Sequence, residues 1–214
     1  QFKYSKEFFR YVLLEKLQKK TFEDSNGTIF LSKFSRLMIA NNKIKNKSLV
    51  IPHGIDKSFF NVKKRRSIPS NTYNEPINLL YVSIINHYKN QINVVKAINI
   101  LADHGINTEL KLIGPSYKPA LSKLNNCILK LKRIQEKVNY IGNVKHKDLI
   151  RYYNEADIFI FASSCETFGM ILLEAMASGL PIACSNISSM PEILKQNGEY
   201  FNPKLWNYSG YFFK

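Results

Sequence analysis

Short apolar runs alternate with segments of helical length through most of the chain after residue 77. The runs NLLYVSI, ELKLIG, VNYIG, DIFIFAS and PIACS are rich in β-branched and aromatic residues, which favours strands. The segments between and after them, 91–104, 119–137, 146–155, 168–178 and 191–196, are predicted helices. Uniformly apolar strands joined by helical crossovers are typical of a parallel sheet covered on both faces. We therefore predict a doubly wound α/β domain over residues 77–203, with ligands at the carboxyl ends of its strands.

The first part of the chain has a shorter pattern of the same kind. It predicts a helix over about residues 5–19, a strand around GTIFLS, a helix over 33–41 and a strand at SLVIP. Two strands are too few for an independent sheet, so residues 1–55 are interpreted as the end of a partial α/β domain. Residues 56–76, rich in Ser, Pro and Asn, predict an interdomain linker, and residues 204–214 an irregular tail.

Composition narrows the class of protein. The 214 residues are 45% hydrophobic, which is typical of a globular chain with a sizeable core. No apolar run approaches the roughly 18 to 20 residues that span a bilayer, so we expect a soluble, cytoplasmic protein. The cysteines lack CxxC spacing and the histidines are scattered, which predicts reduced thiols and no bound metal. Cys165 and Cys184 lie in or beside apolar segments and are predicted to be buried.

A formal net charge of +15 favours an anionic partner such as a phosphate, a nucleic acid or an acidic membrane face. The basic run KKRR at residues 63–66 lies in a linker-like stretch, which favours a solvated basic surface there. A basic nucleic-acid-binding module is an alternative function, supported by this run and by twelve tyrosines. The aromatic residues lie mostly in predicted core elements rather than among basic ones, which disfavours nucleic acid as a partner.

The stretch CETFGMILLEAMASGLPIACS contains the main candidate chemistry. Glu166 follows a predicted strand, and Glu174 lies within an apolar helix, where an ionised carboxylate is costly unless it is hydrogen-bonded. The amides of Phe168, Gly169 and Met170 are predicted to form the helix N-terminus, which favours a phosphate. The alternative is that Glu166 is a turn residue and that a nearby Lys or Arg neutralises Glu174.

Other candidates follow the neighbouring strands. Lys89 comes after the first strand of the predicted domain, where a cation suits a diphosphate, although a solvated loop lysine is the alternative. The turns at Gly114 and from Gly142 through Val144 to Lys145 can hold a base and ribose through backbone contacts, but turn formation alone explains their glycines equally well. The chain has neither GxGxxG nor GxxxxGK[ST], which disfavours dinucleotide and P-loop sites.

Taken together, these motifs resemble the retaining family 4 glycosyltransferases of the glycosyltransferase-B fold, the glycosyl transferases group 1. The resemblance covers roughly residues 25–203. It is carried by the two acids in ETFGMILLEAMASGLPIACS and by IPHGID, YVSIINHYKN, LKLIGP, YIGNVKHKDLIRYYNEADIFIFAS, PEIL and NGEYFNP. The ordered series is far more specific than any single motif.

The resemblance implies that a nucleotide-diphosphate sugar donor binds to residues 77–203, which would form a Rossmann-like donor domain. Residues 1–55 would then belong to the acceptor side. It implies transfer that keeps the anomeric configuration, without a metal or another cofactor, to a glycan or lipid-linked acceptor. Many such enzymes work at the cytoplasmic face of the inner membrane, where basic residues help docking, so peripheral contact with an anionic membrane is a further expectation.

The resemblance also implies roles for individual residues. Glu166 would contact the sugar beside its reacting carbon, and Glu174 would contact the ribose hydroxyls. Lys89 would stabilise the departing diphosphate together with the N-terminal helix amides. The residues implied against the ribose and base are Gly114, Val144 and Lys145.

The chain also departs from the family pattern. Ser83-Ile84 replaces the usual Gly-Arg before Lys89, so we place Ser83 among the donor-binding residues and consider His87, when charged, as a substitute cation. The acceptor side and the final bracing helices are shorter than in full members, which indicates truncation at both ends. We therefore expect donor recognition without efficient transfer. A non-catalytic nucleotide-sugar-binding scaffold of the same fold is the alternative.

Overall fold

A computed structural model describes residues 6–40, 47–60 and 75–205 of the chain. The chain divides into two compact units, one ending at His53 and the other beginning at Gly54. The basic run at 63–66 and the tail from residue 206 lie outside the described residues, so the predictions made for them have no structural counterpart here.

The first unit contains two helices and a small parallel sheet. Its elements are α1 (Lys6–Asp24), β1 (Thr28–Phe30), α2 (Lys33–Ala40) and β2 (Ser48–Val50), with β1 and β2 paired in parallel. Helix α2 begins where two serines cap each other: the Ser35 amide donates to Ser32 Oγ at 3.0 Å and the Ser32 amide to Ser35 Oγ at 3.2 Å. The described part of the unit thus has the predicted alternation of helices and strands, with α1 longer than expected.

The second unit is built on one six-stranded sheet in which all paired strands are parallel. The sheet order is β5-β4-β3-β6-β7-β8, formed by β3 (Ile77–Val82), β4 (Thr108–Ile113), β5 (Val138–Gly142), β6 (Ile158–Phe161), β7 (Ile182–Ser185) and β8 (Glu199–Phe201). The helices are α3 (Gln91–Asp103), α4 (Lys118–Lys130), α5 (His146–Glu155), α6 (Met170–Ala177) and α7 (Met190–Leu194), with 3-10 turns at Lys57–Phe60, His87–Lys89 and Lys132–Lys137. This order confirms the predicted doubly wound α/β fold.

The direction of the strand order reverses at β3. From β3 the chain moves outward through β4 and β5, then returns to the other side of β3 with β6, which pairs through Leu79 with Ile158 and Leu80 with Phe159. Leu80 and Phe159 are almost completely buried. At such a reversal the loops after the two adjacent strands run in opposite directions and leave a crevice at their carboxyl ends.

Several boundaries differ from the sequence predictions. The predicted helix over 119–137 ends at Lys130, because Leu131 leaves the helical region (φ −103°, ψ 67°) and a 3-10 turn then buries Ile134 completely. Strand β8 was not predicted, because it has only three residues and its first two are exposed. None of the described helices is long and apolar enough to cross a membrane.

The prediction of a linker over 56–76 is wrong for its first residues, which are part of the folded unit. Asp56 Oδ1 accepts hydrogen bonds from the Ser58 amide at 2.8 Å and the Ser58 hydroxyl at 2.7 Å, which fixes a 3-10 turn. Phe59 in this turn is 2% exposed and packs in the core of the second unit. Hydrophobic burial of one aromatic ring thus makes residues 57–60 part of the folded unit.

The cysteine predictions are half correct. Cys184 is buried in β7, where burial raises the pKa of its thiol to about 12. Cys165 is exposed, contrary to prediction, because it lies in the turn after β6 and not in an apolar element. An apolar segment next to Cys165 in the sequence was therefore not enough to bury its side chain.

Candidate active site at the sheet reversal

Lys89 and Glu166 form an ion pair at the crevice between β3 and β6. Lys89 Nζ donates to Glu166 Oε1, and the two side chains are only 8% and 16% exposed. Tyr81 fixes the lysine turn by donating its hydroxyl to the Lys89 carbonyl. The ammonium also lies 5.1 Å from the Tyr88 ring centroid and 5.3 Å from that of Phe161, within range of cation–π attraction. The structure thus brings together the two residues predicted to be catalytic.

Asn90 joins the turn after β3 to the turn after β6. Its left-handed backbone (φ 54°, ψ 28°) is a conformation that asparagine adopts more readily than most residues. Its Nδ2 donates to the Ala162 carbonyl at 2.8 Å and to Ser164 Oγ at 2.6 Å. The Ser164 amide in turn donates to the Tyr88 carbonyl at 2.7 Å. These bonds hold the loops carrying Lys89 and Glu166 in register with each other.

The turn between β7 and α7 holds the backbone of Glu166. The Glu166 amide donates to Ser188 Oγ at 3.0 Å, and the same hydroxyl donates to the Glu166 carbonyl at 2.6 Å. Ser189 Oγ donates to that carbonyl as well, at 3.1 Å. Neither serine is predictable from the sequence, because nothing in their spacing from Glu166 indicates the contact.

Helix α6 begins later than the sequence predicts. Gly169 has φ 85° and precedes the helix, which starts at Met170, and the Leu172 amide donates to the Gly169 carbonyl at 3.0 Å. The amides of the first turn are therefore those of Met170 and Ile171. Phe168 lies one residue before the N-cap Gly169 and therefore outside α6, with its side chain buried in the core. The part of its amide in holding a phosphate stays a prediction.

Glu174 is buried on the side of α6 that contacts α5. It is 3% exposed, and its two carboxylate oxygens accept hydrogen bonds from His146 Nε2 at 3.0 Å and from the Tyr153 hydroxyl at 2.9 Å. Burial, and then the negative charge of Glu174, raises the pKa of Tyr153 well above its ordinary value, so this hydroxyl remains a donor. The Phe59 ring covers the pair, with its centroid 5.2 Å from that of His146 and 5.5 Å from that of Tyr153.

The sequence analysis did not identify these partners. In the alternative interpretation a Lys or Arg was the predicted neutralising group for Glu174, whereas the carboxylate contacts His146 and Tyr153. A signal was available, because His146 and Tyr153 are seven residues apart in a predicted helix and therefore lie on the same face, two turns apart. A histidine and a tyrosine on one face can both donate to one carboxylate.

Ser83 and Gly114 meet at the carboxyl ends of β3 and β4. Gly114 has φ 138°, and a Cβ built on it would lie 2.3 Å from the Ser83 carbonyl oxygen. The Gly114 amide donates to the Gly142 carbonyl at 2.8 Å, and the Tyr140 hydroxyl donates to the Gly114 carbonyl at 2.9 Å. Only a residue without a side chain allows this close approach of the two strand ends.

Val144 and Lys145 lie in the turn that leads into α5. Val144 is partly buried against the core, and Lys145 is the exposed residue immediately before the helix. They line a shallow depression with four other residues, Asn143, Lys147, Asp148 and Arg151. His146, the next residue after Lys145, is 56% exposed and contacts the buried Glu174.

Replacing Tyr153 with phenylalanine is expected to destabilise the protein by about 1–3 kcal/mol, because a buried carboxylate loses one of its two donors. Chemical unfolding of the purified chain measures this change. Tyr152→Phe is the matched control, since among the described residues the bond to the neighbouring Tyr152 hydroxyl comes from exposed Arg151, and its loss should cost less than about 0.5 kcal/mol. Equal effects for the two variants would contradict the role given to Tyr153.

A fully parallel sheet with this strand order, with a cation, a carboxylate and a helix N-terminus at its reversal, defines a doubly wound α/β domain with a polar crevice at its strand ends. The chain belongs to the glycosyl transferases group 1, the family that it matches over residues 62–208. Family membership agrees with the resemblance drawn from the motifs.

Individual proteins of this kind are similar to the chain. The alpha-monoglucosyldiacylglycerol synthase of Streptococcus pneumoniae is 32% identical over 168 residues, which are 74% of this chain and 37% of that protein. Sucrose-phosphate synthase from Thermosynechococcus elongatus has a TM-score of 0.78 at 18% identity, covering 94% of this chain and 51% of that one. Anabaena HepE, solved in complex with UDP-glucose, has a TM-score of 0.73 at 16% identity, covering 92% and 56%. The structural likenesses establish the glycosyltransferase-B type of fold, and the chain spans about half or less of these proteins.

Proposed function

We propose that this chain binds a nucleotide-diphosphate sugar and forms the donor side of a retaining, metal-independent glycosyltransferase. The observation that carries the proposal is the Lys89–Glu166 pair at the sheet reversal. An ammonium has three donors, so Lys89 can hold Glu166 and a phosphate oxygen at the same time. The first-turn amides of α6 add further positive potential for a departing diphosphate. This positive charge is of the kind that a metal supplies in other transferases, which supports metal independence.

In this proposal the donor extends from the reversal of the sheet towards α5. The diphosphate lies against Lys89 and the amide of Met170, and the sugar lies against Glu166. The ribose and base extend past Ser83 and Gly114 to Val144 and Lys145, with Glu174 on the ribose hydroxyls. His146 must then share or release its bond to Glu174, and its half-exposed side chain leaves room for that movement.

The acceptor and the cellular setting belong to the same proposal. Sugar transfer to a glycan or lipid-linked acceptor is supported by family membership and by the diacylglycerol-related relative. The net charge of +15 supports peripheral contact with an anionic inner membrane face and a cytoplasmic location.

Isothermal titration of the purified chain with uridine and guanosine diphosphates and their sugars tests the proposal. We expect saturable binding of one nucleotide series with a Kd of about 1 μM to 1 mM, unchanged by a chelator. Glu174→Ala should weaken it at least about tenfold, because hydrogen bonds to a charged group are among the stronger ones. Glu155→Ala is the control, since Glu155 ends α5 just before the amino end of β6, away from the carboxyl ends of the strands, in an exposed pair with Lys111.

Three results would contradict parts of this proposal. Absence of saturable binding in every series would overturn the donor site. Binding without any release of sugar, assayed by NMR with the anomeric configuration of the released sugar as readout, would favour the non-catalytic scaffold. Release with inversion of configuration would overturn the retaining mechanism.

A further inference from the structure

The hydroxyl of Ser188 satisfies both backbone polar groups of Glu166. It accepts from the Glu166 amide and donates to the Glu166 carbonyl, across 22 residues of chain. Ser189 adds a second donor to the same carbonyl, and its side chain is completely buried. We call these two serines the Glu166 clamp.

The clamp requires an unfavourable backbone conformation. Ser188 has φ 65°, in the left-handed region that costs a residue with a side chain about 1–2 kcal/mol. Glycine would adopt this conformation without that cost. The two hydrogen bonds to Glu166 offset the strain, so the hydroxyl has a use that glycine could not supply.

Fixing the amide and carbonyl of one residue fixes the direction of its Cα–Cβ bond. The Glu166 side chain is therefore held twice, by the Glu166 clamp at its backbone and by Lys89 at its carboxylate. A bound diphosphate would draw on the hydrogen-bonding capacity of Lys89. Lys89 would then divide its donors between Glu166 and the phosphate, whereas the backbone restraint on Glu166 would stay unchanged.

We infer that Ser188 is a positioning residue that holds the Glu166 carboxylate against the donor sugar, an inference that rests on the proposed function. Its effect should be specific to the sugar part of the donor, because the diphosphate, ribose and base are held by other residues. Ser188 would therefore govern how much more tightly a nucleotide sugar binds than the nucleoside diphosphate alone.

Ser188→Gly removes the hydroxyl and keeps the left-handed backbone accessible. We expect the Kd for the nucleotide sugar, measured by isothermal titration, to rise about tenfold, while the Kd for the matching nucleoside diphosphate changes less than about twofold. Ser189→Ala should have a smaller effect in the same direction, since it removes one of the three bonds. Lys195→Gly is the matched control, because it relieves a left-handed backbone (φ 51°) at the end of α7 without touching Glu166.

Hydrogen exchange gives a second readout that needs no ligand. Exchange of the Glu166 amide, followed by mass spectrometry of the segment around it, should be about tenfold faster in Ser188→Gly and unchanged in Lys195→Gly. Unchanged exchange in Ser188→Gly would overturn the inference, as would an equal loss of affinity for both ligands or an unchanged ratio between them. If the unaltered chain binds neither ligand, the proposed function fails, and the positioning role fails with it. The exchange measurement needs no ligand, so it still decides whether the Glu166 clamp holds Glu166.

Discussion

Replacing Lys89 with alanine is expected to lower the free energy of unfolding by about 3–5 kcal/mol, because it leaves Glu166 charged and unpaired in a site where it is only 16% exposed. The same change should weaken nucleoside diphosphate binding at least about tenfold, since a charge-assisted bond to phosphate is lost. Urea unfolding followed by circular dichroism measures the first effect, and isothermal titration measures the second.

The Lys111–Glu155 pair provides the control. Its atoms are 2.9 Å apart, but its side chains are 31% and 49% exposed, so Lys111→Ala should cost less than about 1 kcal/mol and leave binding unchanged. The double variant Lys89→Met, Glu166→Met should recover much of the stability without recovering binding, because it leaves no buried charge unpaired. If Lys89→Ala lowers the free energy of unfolding no more than Lys111→Ala does, the Lys89–Glu166 pair is not shielded from water.

Replacing Gly114 with alanine is expected to destabilise the protein by about 3–5 kcal/mol. A side chain is strained at φ 138°, and the added Cβ would lie 2.3 Å from the Ser83 carbonyl oxygen and 2.7 Å from its carbon. These are backbone atoms directly after a central strand, where the Ser83 amide donates to the Ile113 carbonyl, so they cannot yield as a flexible side chain does. Because Ser83 starts the loop that carries Lys89, the shift should also weaken donor binding. Thermal and urea unfolding measure the stability change.

Gly142→Ala separates the two causes of this loss. Gly142 also has a positive φ, 83°, at the end of the neighbouring strand, but a Cβ there would meet no atom within 4 Å. Its replacement should cost only the conformational strain, about 1–2 kcal/mol. Equal losses for Gly114→Ala and Gly142→Ala would show that the contact with Ser83 is not the reason.

The fold was predictable because its signal is local. Each strand from β3 to β7 is an apolar run bounded by turn residues, and each crossover has helical length. β8 escaped prediction because its three residues, Glu199–Phe201, are mostly exposed and are strand only through pairing with β7. The start of α6 was misplaced because Phe168 fits the apolar helix pattern. In the structure Phe168 is buried, but it lies two residues before the helix begins at Met170.

The candidate site was predictable to the extent that topology determines it. Lys89 and Glu166 follow strands that a doubly wound order makes adjacent, so their meeting could be expected. His146 and Tyr153 were missed because their partner, Glu174, lies on another helix. A pattern along the sequence does not show which faces of two helices pack against each other. Ser188 was missed for a stronger reason, since its contact with Glu166 depends on a left-handed turn that sequence alone does not specify.

The separation of Lys89 and Glu166 along the chain has a consequence for how the protein folds. The two residues are 77 positions apart and meet only because β3 pairs with β6, which follows it after three crossovers and two intervening strands. Closing a loop of that length has an entropic cost that must be met before the contact forms. Contacts between residues so far apart in the chain therefore form slowly. Helices and hairpin-sized fragments can therefore form early without creating any part of the ion pair. Competence to bind a donor is expected to arise in one cooperative step with the central strands.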